Sequence, residues 1–545
     1  MNSYRHRRTE LQLICGLIMA VLLFFRSPDT HAAVSQTPPM GWNSFDMYNG
    51  LVNEQQVKDV ADYMAENLLE YGWEYVCVDY LWYSTSTDFW NYKQDANFNP
   101  ALVYDENGRV QPDPKKFPSS VDGKGLKPLA DYVHSRGLKF GLHLMRGVPR
   151  QAVARENPTV LGTTYKVSDI HTKTDPCGWL NVMWALNMSH PGAQIYLHSL
   201  FEQYAEWGVD YVKIDDMVQP WAVYAHPEEI KGYRKAIDSC GREMVFSTSP
   251  GPTPLPNANF DISKYANQWR IVNDFWDKWE SLDEEFDRAE EWYKYAGPGH
   301  WPDGDMIPIG TLYSGKSKFT RDEQYTLMTL FAIMRSPLIW GGKLVDSNAD
   351  ELKLMQNSEV LAVNQNSTGN KPIVTGKTPV WMAEVPDSPI RYVAVFNRNE
   401  APADVTINFS DLGVTAPDDT LRDLWEKKDI GVFSNSYKVT LAPHQSKLYR
   451  LTPPGATMVR KAAAARGNVA LKNRFTVRNA GGMLSVGSNE SKAGFAVSVF
   501  RADGRLVANL SGCIGSASVP VDGAGVYLVV VKSEKKTEKH LVSRY

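Results

Sequence analysis

The sequence predicts an α/β fold class: a (β/α)8 TIM barrel, followed by an antiparallel β-sandwich and a further small C-terminal β-domain. Between residues 34 and 370, eight short apolar segments alternate with amphipathic helical stretches, which is typical of a parallel barrel. From residue 371 onward, short runs of alternating apolar and polar residues are separated by turn residues, as in antiparallel sheets. The length of 545 residues also favours two or three domains.

The barrel prediction depends on eight candidate strands and on the helices between them. The candidate strands are residues 41–45, 75–82, 138–145, 211–217, 243–250, 268–275, 300–307 and 336–342. Helical patterns occupy residues 54–72, 125–137, 192–208 and 321–336. The first three of these end in a glycine shortly before the next strand, which is a common signal for the end of a helix.

The two ends of the chain predict export and further β-structure. Residues 1–33 combine a basic start, an apolar run and small residues, so we expect a cleaved signal peptide and a secreted, cell-surface or periplasmic protein. An uncleaved membrane anchor is the alternative. Residues 371–453 are predicted to form the β-sandwich, residues 454–465 a linker and residues 466–545 the small β-domain.

Composition excludes some classes of function. Hydrophobic residues make up 43% and charged residues 22% of the chain, as in ordinary soluble enzymes. The formal net charge of −4 disfavours a nucleic-acid partner, which would require a basic surface. After the signal the cysteines are Cys77, Cys177, Cys240 and Cys513, too far apart for a disulfide framework, so we expect free thiols or a single bridge.

Polar side chains cluster at the ends of the candidate strands. In a barrel the carboxyl ends of all strands meet on one face, where active sites form. The polar or aromatic residues at these ends are Asp46, Asp79, Tyr80, His143, Arg146, Lys213, Asp215, Asp216, Ser247, Ser249, Arg270, Asp274, Trp301, Asp303 and Asp305. The sequence therefore predicts a pocket lined with carboxylates.

Such a pocket suits two kinds of hydrolysis. Glycoside hydrolysis needs one ionised carboxylate and one protonated carboxyl group beside the scissile bond. Metal-assisted hydrolysis needs carboxylates and histidines around an ion. Lys213 and Arg270 would compete with a metal for the same carboxylates, so we expect no metal ligands; an oxygen-only site, such as one for calcium, is the alternative.

Six motifs occur in an order that resembles glycoside hydrolase family 27, the family of α-galactosidases and α-N-acetylgalactosaminidases. They are TPPMGWNSF, GWEYVCVDYLW, YVKIDDM, WRIVNDFW, HWPDGDM and RSPLIWGG, and the resemblance covers residues 36–453. It implies a barrel followed by an antiparallel β-domain. It also implies a retaining double displacement without a metal or organic cofactor, acting on a carbohydrate substrate.

The resemblance assigns roles to individual residues. Asp215 would be the nucleophile, and Asp274, four residues after Arg270, would be the acid/base. Asp79 would bind galactose hydroxyls near C4 and C6, Lys213 a ring hydroxyl, and Arg270 the C2 side. Asp305 is expected to support the site. Asp216 is expected either to support Asp215 or to begin a helix, since aspartate is a good N-cap.

Several positions depart from the family pattern and make this chain a divergent bacterial member. Tyr80 follows Asp79 where a second acid is usual, and Phe45 and Met217 replace the usual tryptophan and cysteine. Ser249 stands where the C2 substituent would be read. The predicted substrate is a terminal α-linked galactose, with β-L-arabinopyranose (the same ring without C6) or another α-glycoside as the alternative. A non-catalytic carbohydrate-binding protein is the distant alternative.

The last segment resembles the sorting domains that end type IX secretion substrates. It is predicted as a small β-sandwich with a basic tail, ending in KHLVSRY. The resemblance implies a partner in the secretion machinery. A carbohydrate-binding or spacer domain is the alternative.

Overall fold

The computed structural model describes twelve stretches of the chain. They are residues 34–88, 93–175, 177–219, 224–414, 418–456, 475–480, 483–488, 495–501, 505–514, 516–521, 525–533 and 537–544. The predicted signal peptide lies outside them, as does most of the predicted linker. Within these stretches, none of the helices combines the length and the apolar character needed to cross a membrane.

An eight-stranded parallel sheet forms the barrel in the described part of the chain. Its strands are Met40–Asn43, Tyr75–Val78, Lys139–Met145, Tyr211–Asp215, Val245–Thr248, Gln268–Arg270, Trp301–Asp303 and Leu338–Trp340. Each of the first six strands pairs with the next along the chain, and the first also pairs with the eighth. The seventh and eighth strands lie at the two edges of the sheet, and a parallel bridge joins Ile307, in the loop after the seventh strand, to Trp340 of the eighth. The predicted barrel is confirmed, and the strands are shorter than expected because their polar ends turn away into loops.

Helices separate these strands and follow the last one. The longer helices between strands are Glu54–Asn67, Lys127–Ser135, Pro191–Trp207, Pro227–Ser239, Trp279–Trp292 and Arg321–Met334, and Ala349–Met355 and Ser358–Asn366 come after the eighth strand. The helix Pro191–Trp207 has sequence signals at both ends. A proline stands at its first position, and the helix ends at Gly208, which has φ of 87°. Phe45, predicted as strand, begins the short helix Phe45–Tyr48, because its N–H is bonded to the Asn43 side chain and leaves the sheet.

Tryptophans fill the barrel core. Trp42 and Trp301 are fully buried, as expected of residues that pack the barrel. The indole N–H of Trp42 donates to the carbonyl of Gly342 at 3.0 Å, which joins the first strand to the loop after the eighth. The barrel is therefore closed by packing and by hydrogen bonds.

A long loop after the third barrel strand carries a small sheet of its own. Its strands are Val148–Pro149, His171–Thr172 and Met183–Leu186, with the last in the centre. A short helix, Arg150–Ala154, follows the first of them. Because this loop leaves the carboxyl end of a barrel strand, it lies on the face of the barrel where active sites form.

The β-sandwich follows the barrel. A six-stranded antiparallel sheet contains Thr368–Val374, Val380–Glu384, Arg391–Phe396, Ser446–Thr452, Asp419–Asp423 and Lys428–Phe433, in that spatial order. Ala403–Asn408 pairs with Ser436–Leu441 in a second sheet. One face of the large sheet contributes Val393 and Leu451 to the sandwich core, and the other contributes Trp381 and Phe396 to the barrel core.

The strands after residue 474 form a second compact unit. One sheet contains Phe475–Ala480, Met483–Ser488 and Ser516–Pro520. The other contains Leu506–Cys513, Phe495–Arg501, Gly525–Ser533 and Thr537–Arg544. Apolar residues such as Val486 and Val529 form the core of this unit. The predicted small antiparallel β-domain is confirmed as a fold, whereas the exact domain boundaries stay predictions.

Candidate active site

The two predicted catalytic acids differ in exposure. The side chain of Asp215 is 15% exposed, at the end of the fourth barrel strand. The side chain of Asp274 is 62% exposed, in the loop after the sixth strand. The predicted substrate-binding residues Asp79, Tyr80, Lys213, Ser249 and Arg270 are all buried at the strand ends or just beyond them. The buried Asp215 and the exposed Asp274 thus lie on the same face of the barrel.

Asp215 is held as a carboxylate. The Nε2 atom of His143 lies 3.2 Å from Oδ2 of Asp215, and the backbone N–H of Asp216 donates to Oδ1 at 2.7 Å. Burial alone would raise the pKa of Asp215. The hydrogen bond and charge of His143, the charge of Lys213 and the Asp216 N–H together lower it below the usual value. Asp215 is therefore ionised at neutral pH.

Lys213 makes its direct contact with Asp79. Its Nζ donates to Oδ2 of Asp79 at 3.2 Å, and the Asn43 amide donates to the same oxygen at 2.7 Å. Burial opposes ionisation of Asp79, but the charges of His143 and Lys213 lower its pKa to about 2. The charge of Lys213 also helps to lower the pKa of Asp215, but its hydrogen-bonded partner is Asp79, the acid of the second strand.

Arg270 connects the exposed acid to the barrel interior. One of its terminal nitrogens lies 3.2 Å from Oδ1 of Asp274 and 2.9 Å from Oδ2 of Asp305. Asp305 also accepts the Phe275 N–H at 3.0 Å. Asp305 thereby fixes both Arg270 and the backbone next to Asp274, in line with the supporting position expected for it.

Tyr80 lies in an aromatic cluster beside Asp79. Its ring centroid lies 5.6 Å from that of Phe45, 5.8 Å from that of His143 and 6.2 Å from that of Trp179. Since His143 contacts Asp215, this cluster forms a wall next to the predicted nucleophile.

Ser249 is placed by the backbone of its neighbours. Its N–H donates to Ile214 at 3.0 Å, and its carbonyl accepts the Met217 N–H at 2.9 Å. The residue thus lies beside the end of the fourth strand, next to the turn that carries Asp215.

The helix-start alternative for Asp216 is wrong. Asp216 has φ of 62°, and the short strand Val218–Gln219 follows it in the described residues. The Arg146 Nε donates at 2.8 Å both to the carbonyl and to Oδ2 of Asp216. Burial nevertheless raises the pKa of Asp216 to about 7. A buried arginine therefore holds the turn that directly follows Asp215.

His143 is the main residue that sequence reasoning left without a role. It stands on the third barrel strand, opposite Lys213 in register. In the sequence, the position of His143 near a strand end is the signal that indicates a role in the site. The partner of its side chain depends on a neighbouring strand and could not be identified from the local pattern.

Asp175, His226 and Glu229 form one cluster of candidate metal ligands among the described residues. The guanidinium of Arg146 lies against it, with Nη1 donating to Glu229 and Nη2 lying 3.6 Å from Oδ1 of Asp175. Nδ1 of His226 lies 2.6 Å from Oδ2 of Asp175. A metal ion would have to displace the Arg146 guanidinium. The cluster is therefore better explained as an ion-pair network than as a metal site.

The four cysteines after the signal, all within the described stretches, are free thiols. The sequence left open free thiols or a single disulfide bridge, and free thiols are correct. Burial raises the pKa of Cys177, which also hydrogen-bonds to Asp216.

Comparisons with known proteins show which family the chain resembles. A family model described as alpha galactosidase A matches residues 37–174 and 162–366, and one for the alpha galactosidase C-terminal beta sandwich domain matches residues 375–451. The crystal structure of a β-L-arabinopyranosidase of glycoside hydrolase family 27 from Geobacillus stearothermophilus is 43% identical, covering 78% of this chain and 98% of that one, with a TM-score of 0.74. The α-galactosidase of Cyamopsis tetragonoloba is 29% identical over 77% of this chain and 87% of its own length. Human α-galactosidase A is 27% identical over 75% and 86%.

Proposed function

Since this chain belongs to glycoside hydrolase family 27, the family of the α-galactosidases, we propose that it is a retaining exo-glycosidase for terminal sugars of the galactose configuration. Within that class, β-L-arabinopyranosides are the preferred substrates and α-galactosides the second candidate. The observation that carries the proposal is the buried, ionised Asp215 next to His143, Lys213 and Asp79.

The reaction needs two displacements. In the first, an Asp215 oxygen attacks the anomeric carbon, the glycosidic C–O bond breaks and Asp274 gives its proton to the leaving oxygen. In the second, Asp274 takes a proton from water, the water oxygen attacks the anomeric carbon and the Asp215 ester bond breaks. Two inversions at one carbon return the original anomeric configuration.

The placement of the acids supports this assignment of roles. Asp215 is buried and kept ionised, as a nucleophile must be. Asp274 is exposed at the rim, where water and the leaving group have access. Lys213 and Asp79 form a buried donor–acceptor pair that suits adjacent sugar hydroxyls.

Tyr80 supports a sugar without the C6 hydroxymethyl group. It occupies the position next to Asp79 where the family usually has a second acid, and it is packed against Phe45, His143 and Trp179. An aromatic ring there removes a hydrogen-bond acceptor for O6 and fills space beside it. The 43% identity to a β-L-arabinopyranosidase points the same way.

α-Galactose is kept as the second candidate for a specific reason. Asp79, the acid expected to bind O4 and O6, is retained with its Lys213 partner. Curated relatives named as α-galactosidases span three quarters of the chain at 26–29% identity.

Export is a separate proposal. The apolar, basic-headed residues 1–33 support secretion, and the antiparallel fold after residue 474 is compatible with a sorting domain. N-terminal sequencing of the mature protein and mass analysis of its C-terminus test both parts.

A panel of aryl glycosides tests the function. We expect the largest kcat/KM on the β-L-arabinopyranoside, a smaller one on the α-galactoside and the smallest on the α-N-acetylgalactosaminide. Asp215→Asn and Asp274→Asn should abolish turnover of the natural linkage while the melting temperature is kept. Hydrolysis of none of the three substrates by a folded protein, or loss of activity on chelation, would overturn the proposal.

A further inference from the structure

The loop after the third barrel strand carries a second group of aromatic and cationic side chains on the catalytic face. Gly147 anchors it, since a Cβ on this residue would lie 2.0 Å from the carbonyl oxygen of Trp184. The small sheet is thus fixed directly against the end of a catalytic strand.

Trp184 is half-buried in this sheet and carries two cations over its ring. The Arg150 guanidinium carbon lies 3.9 Å from the ring centroid, and the Lys173 Nζ lies 5.6 Å from it. The ring of His171 lies 6.0 Å away. Stacking on an indole ring fixes the plane of a guanidinium group.

The two cations lack acidic partners. In the part of the chain that the structure describes, no carboxylate lies within 4.0 Å of Arg150 or Lys173. The Arg150 Nε donates to the Met183 carbonyl at 2.9 Å, and its terminal nitrogens have no hydrogen-bond partner within the described stretches. Arg146, four residues earlier, contrasts with it, because three carboxylates surround that guanidinium.

The group is connected to the catalytic site through residues 177–184. The buried thiol of Cys177 lies near enough to Arg150 on one side, and to Asp215 and Asp216 on the other, for these groups to affect each other's pKa. Trp179 packs near the Tyr80 ring. Trp179 and Trp184 are five residues apart, so at most about 17 Å separates their backbones. An oligosaccharide bound at Asp215 can therefore extend over Trp184.

We propose that Arg150, Lys173 and Trp184 bind an anionic sugar in the part of the substrate beyond the scissile bond. This inference rests on the proposed glycosidase function and adds its substrate class: acidic oligosaccharides carrying a uronic acid or a sulfate ester. The guanidinium fork pairs with two oxygens of either anion, and the indole supplies an apolar surface for the ring.

Three disaccharides with the same β-L-arabinopyranosyl unit test the site. The second sugar is a methyl glucuronide, its neutral methyl ester, or a methyl glucoside 6-sulfate. We expect kcat/KM for at least one anionic substrate to exceed that of the ester by about tenfold, since hydrogen bonds between charged groups are stronger than those between neutral ones. Whichever anionic disaccharide has the larger kcat/KM indicates whether the site prefers a uronic acid or a sulfate ester.

Two variants and a control assign the effect. Arg150→Gln and the exposed Lys173→Gln should each lower the anionic-to-neutral ratio toward one. Lys166→Gln removes an exposed charge from the same loop and should leave it unchanged. A wild-type ratio near one, or a ratio that Arg150→Gln and Lys173→Gln do not change, overturns the inference.

Failure of the proposed function gives a different result. A protein that hydrolyses none of the three disaccharides contradicts the glycosidase proposal. Calorimetric titration with the glucuronide and sulfated disaccharides then still tests the anionic site. Binding that Lys173→Gln weakens supports the inference, and no binding overturns it.

Discussion

The Nε2 atom of His143 lies 3.2 Å from the Oδ2 atom of Asp215 across two neighbouring parallel strands. In the register of these strands His143 stands opposite Lys213, and Met145 stands opposite Asp215. His143 and Asp215 are therefore diagonal neighbours on the inner face of the barrel. Because an ionised carboxylate only accepts hydrogen bonds, Nε2 must carry the donated hydrogen.

Removal of His143 should weaken catalysis and shift its pH dependence. Without this donor the pKa of Asp215 rises, so the acidic limb of the kcat/KM profile moves to higher pH. We expect His143→Ala to lower kcat/KM about tenfold or more at neutral pH. His134→Gln, at a histidine bonded to Asp210 at the other end of the barrel, is the control and should keep the wild-type profile. An unchanged acidic limb in His143→Ala would contradict this account.

Substitution of Tyr80 should change the preferred sugar. Tyr80→Asp supplies an acceptor for O6 and frees space, so the ratio of kcat/KM for α-galactoside over β-L-arabinopyranoside should rise about tenfold or more. Tyr80→Phe keeps the ring and should leave the ratio near that of the wild type. The idea fails if the aspartate and phenylalanine variants have the same ratio.

Arg146 should affect turnover through the Asp216 turn. Arg146→Lys keeps the charge but loses the planar fork that reaches Asp216, Glu229 and the Asp175 carbonyl together. We expect a lower kcat with a nearly unchanged KM. Arg242→Lys, at an arginine paired with Asp210, is the matched control. A lower melting temperature with full kcat would restrict Arg146 to a structural role.

Asp216 should make the folded protein less stable as the pH rises. Its pKa is raised to about 7 in the fold, whereas an aspartate in an unfolded chain titrates near 4. The folded state thus binds this proton more tightly than the unfolded state does. The resulting contribution to the free energy of unfolding is complete below pH about 4 and is lost as the pH rises to about 7. In Asp216→Asn, the decrease in unfolding free energy between pH 4.5 and 7.5 should shrink, by at most about 3 kcal/mol.

Denaturant unfolding at both pH values measures this difference. Asp131→Asn, at an exposed aspartate, serves as the control and should behave as the wild type. An equal pH dependence in Asp216→Asn and wild type would show that Asp216 does not titrate in this range.

The barrel could be predicted because its signals are local. Strand–helix alternation and terminal glycines such as Gly208 are properties of short segments. The positions of Asp215 and Asp79 followed from strand ends, which a barrel gathers on one face. The hydrogen-bond partners of these acids could not be predicted from the sequence, because the His143–Asp215 and Lys213–Asp79 contacts join different strands.

The Asp216 turn illustrates the limit most clearly. An aspartate after a strand is compatible with a helix N-cap, and only the buried guanidinium of Arg146, 70 residues earlier, decides otherwise. The Arg150–Trp184 contact likewise could not be predicted from the sequence, since it joins the first residue of a short helix to a strand whose pairing within the loop the local pattern does not define.

The most direct test of the account is to identify the residue that becomes glycosylated during turnover. An activated, fluorinated β-L-arabinopyranoside slows hydrolysis of the glycosyl-enzyme, so that the adduct can be located by peptide mass spectrometry. The account predicts one added glycosyl unit on Asp215. A label on another residue, or an unlabelled active enzyme whose first product has the inverted anomeric configuration by NMR, would contradict it.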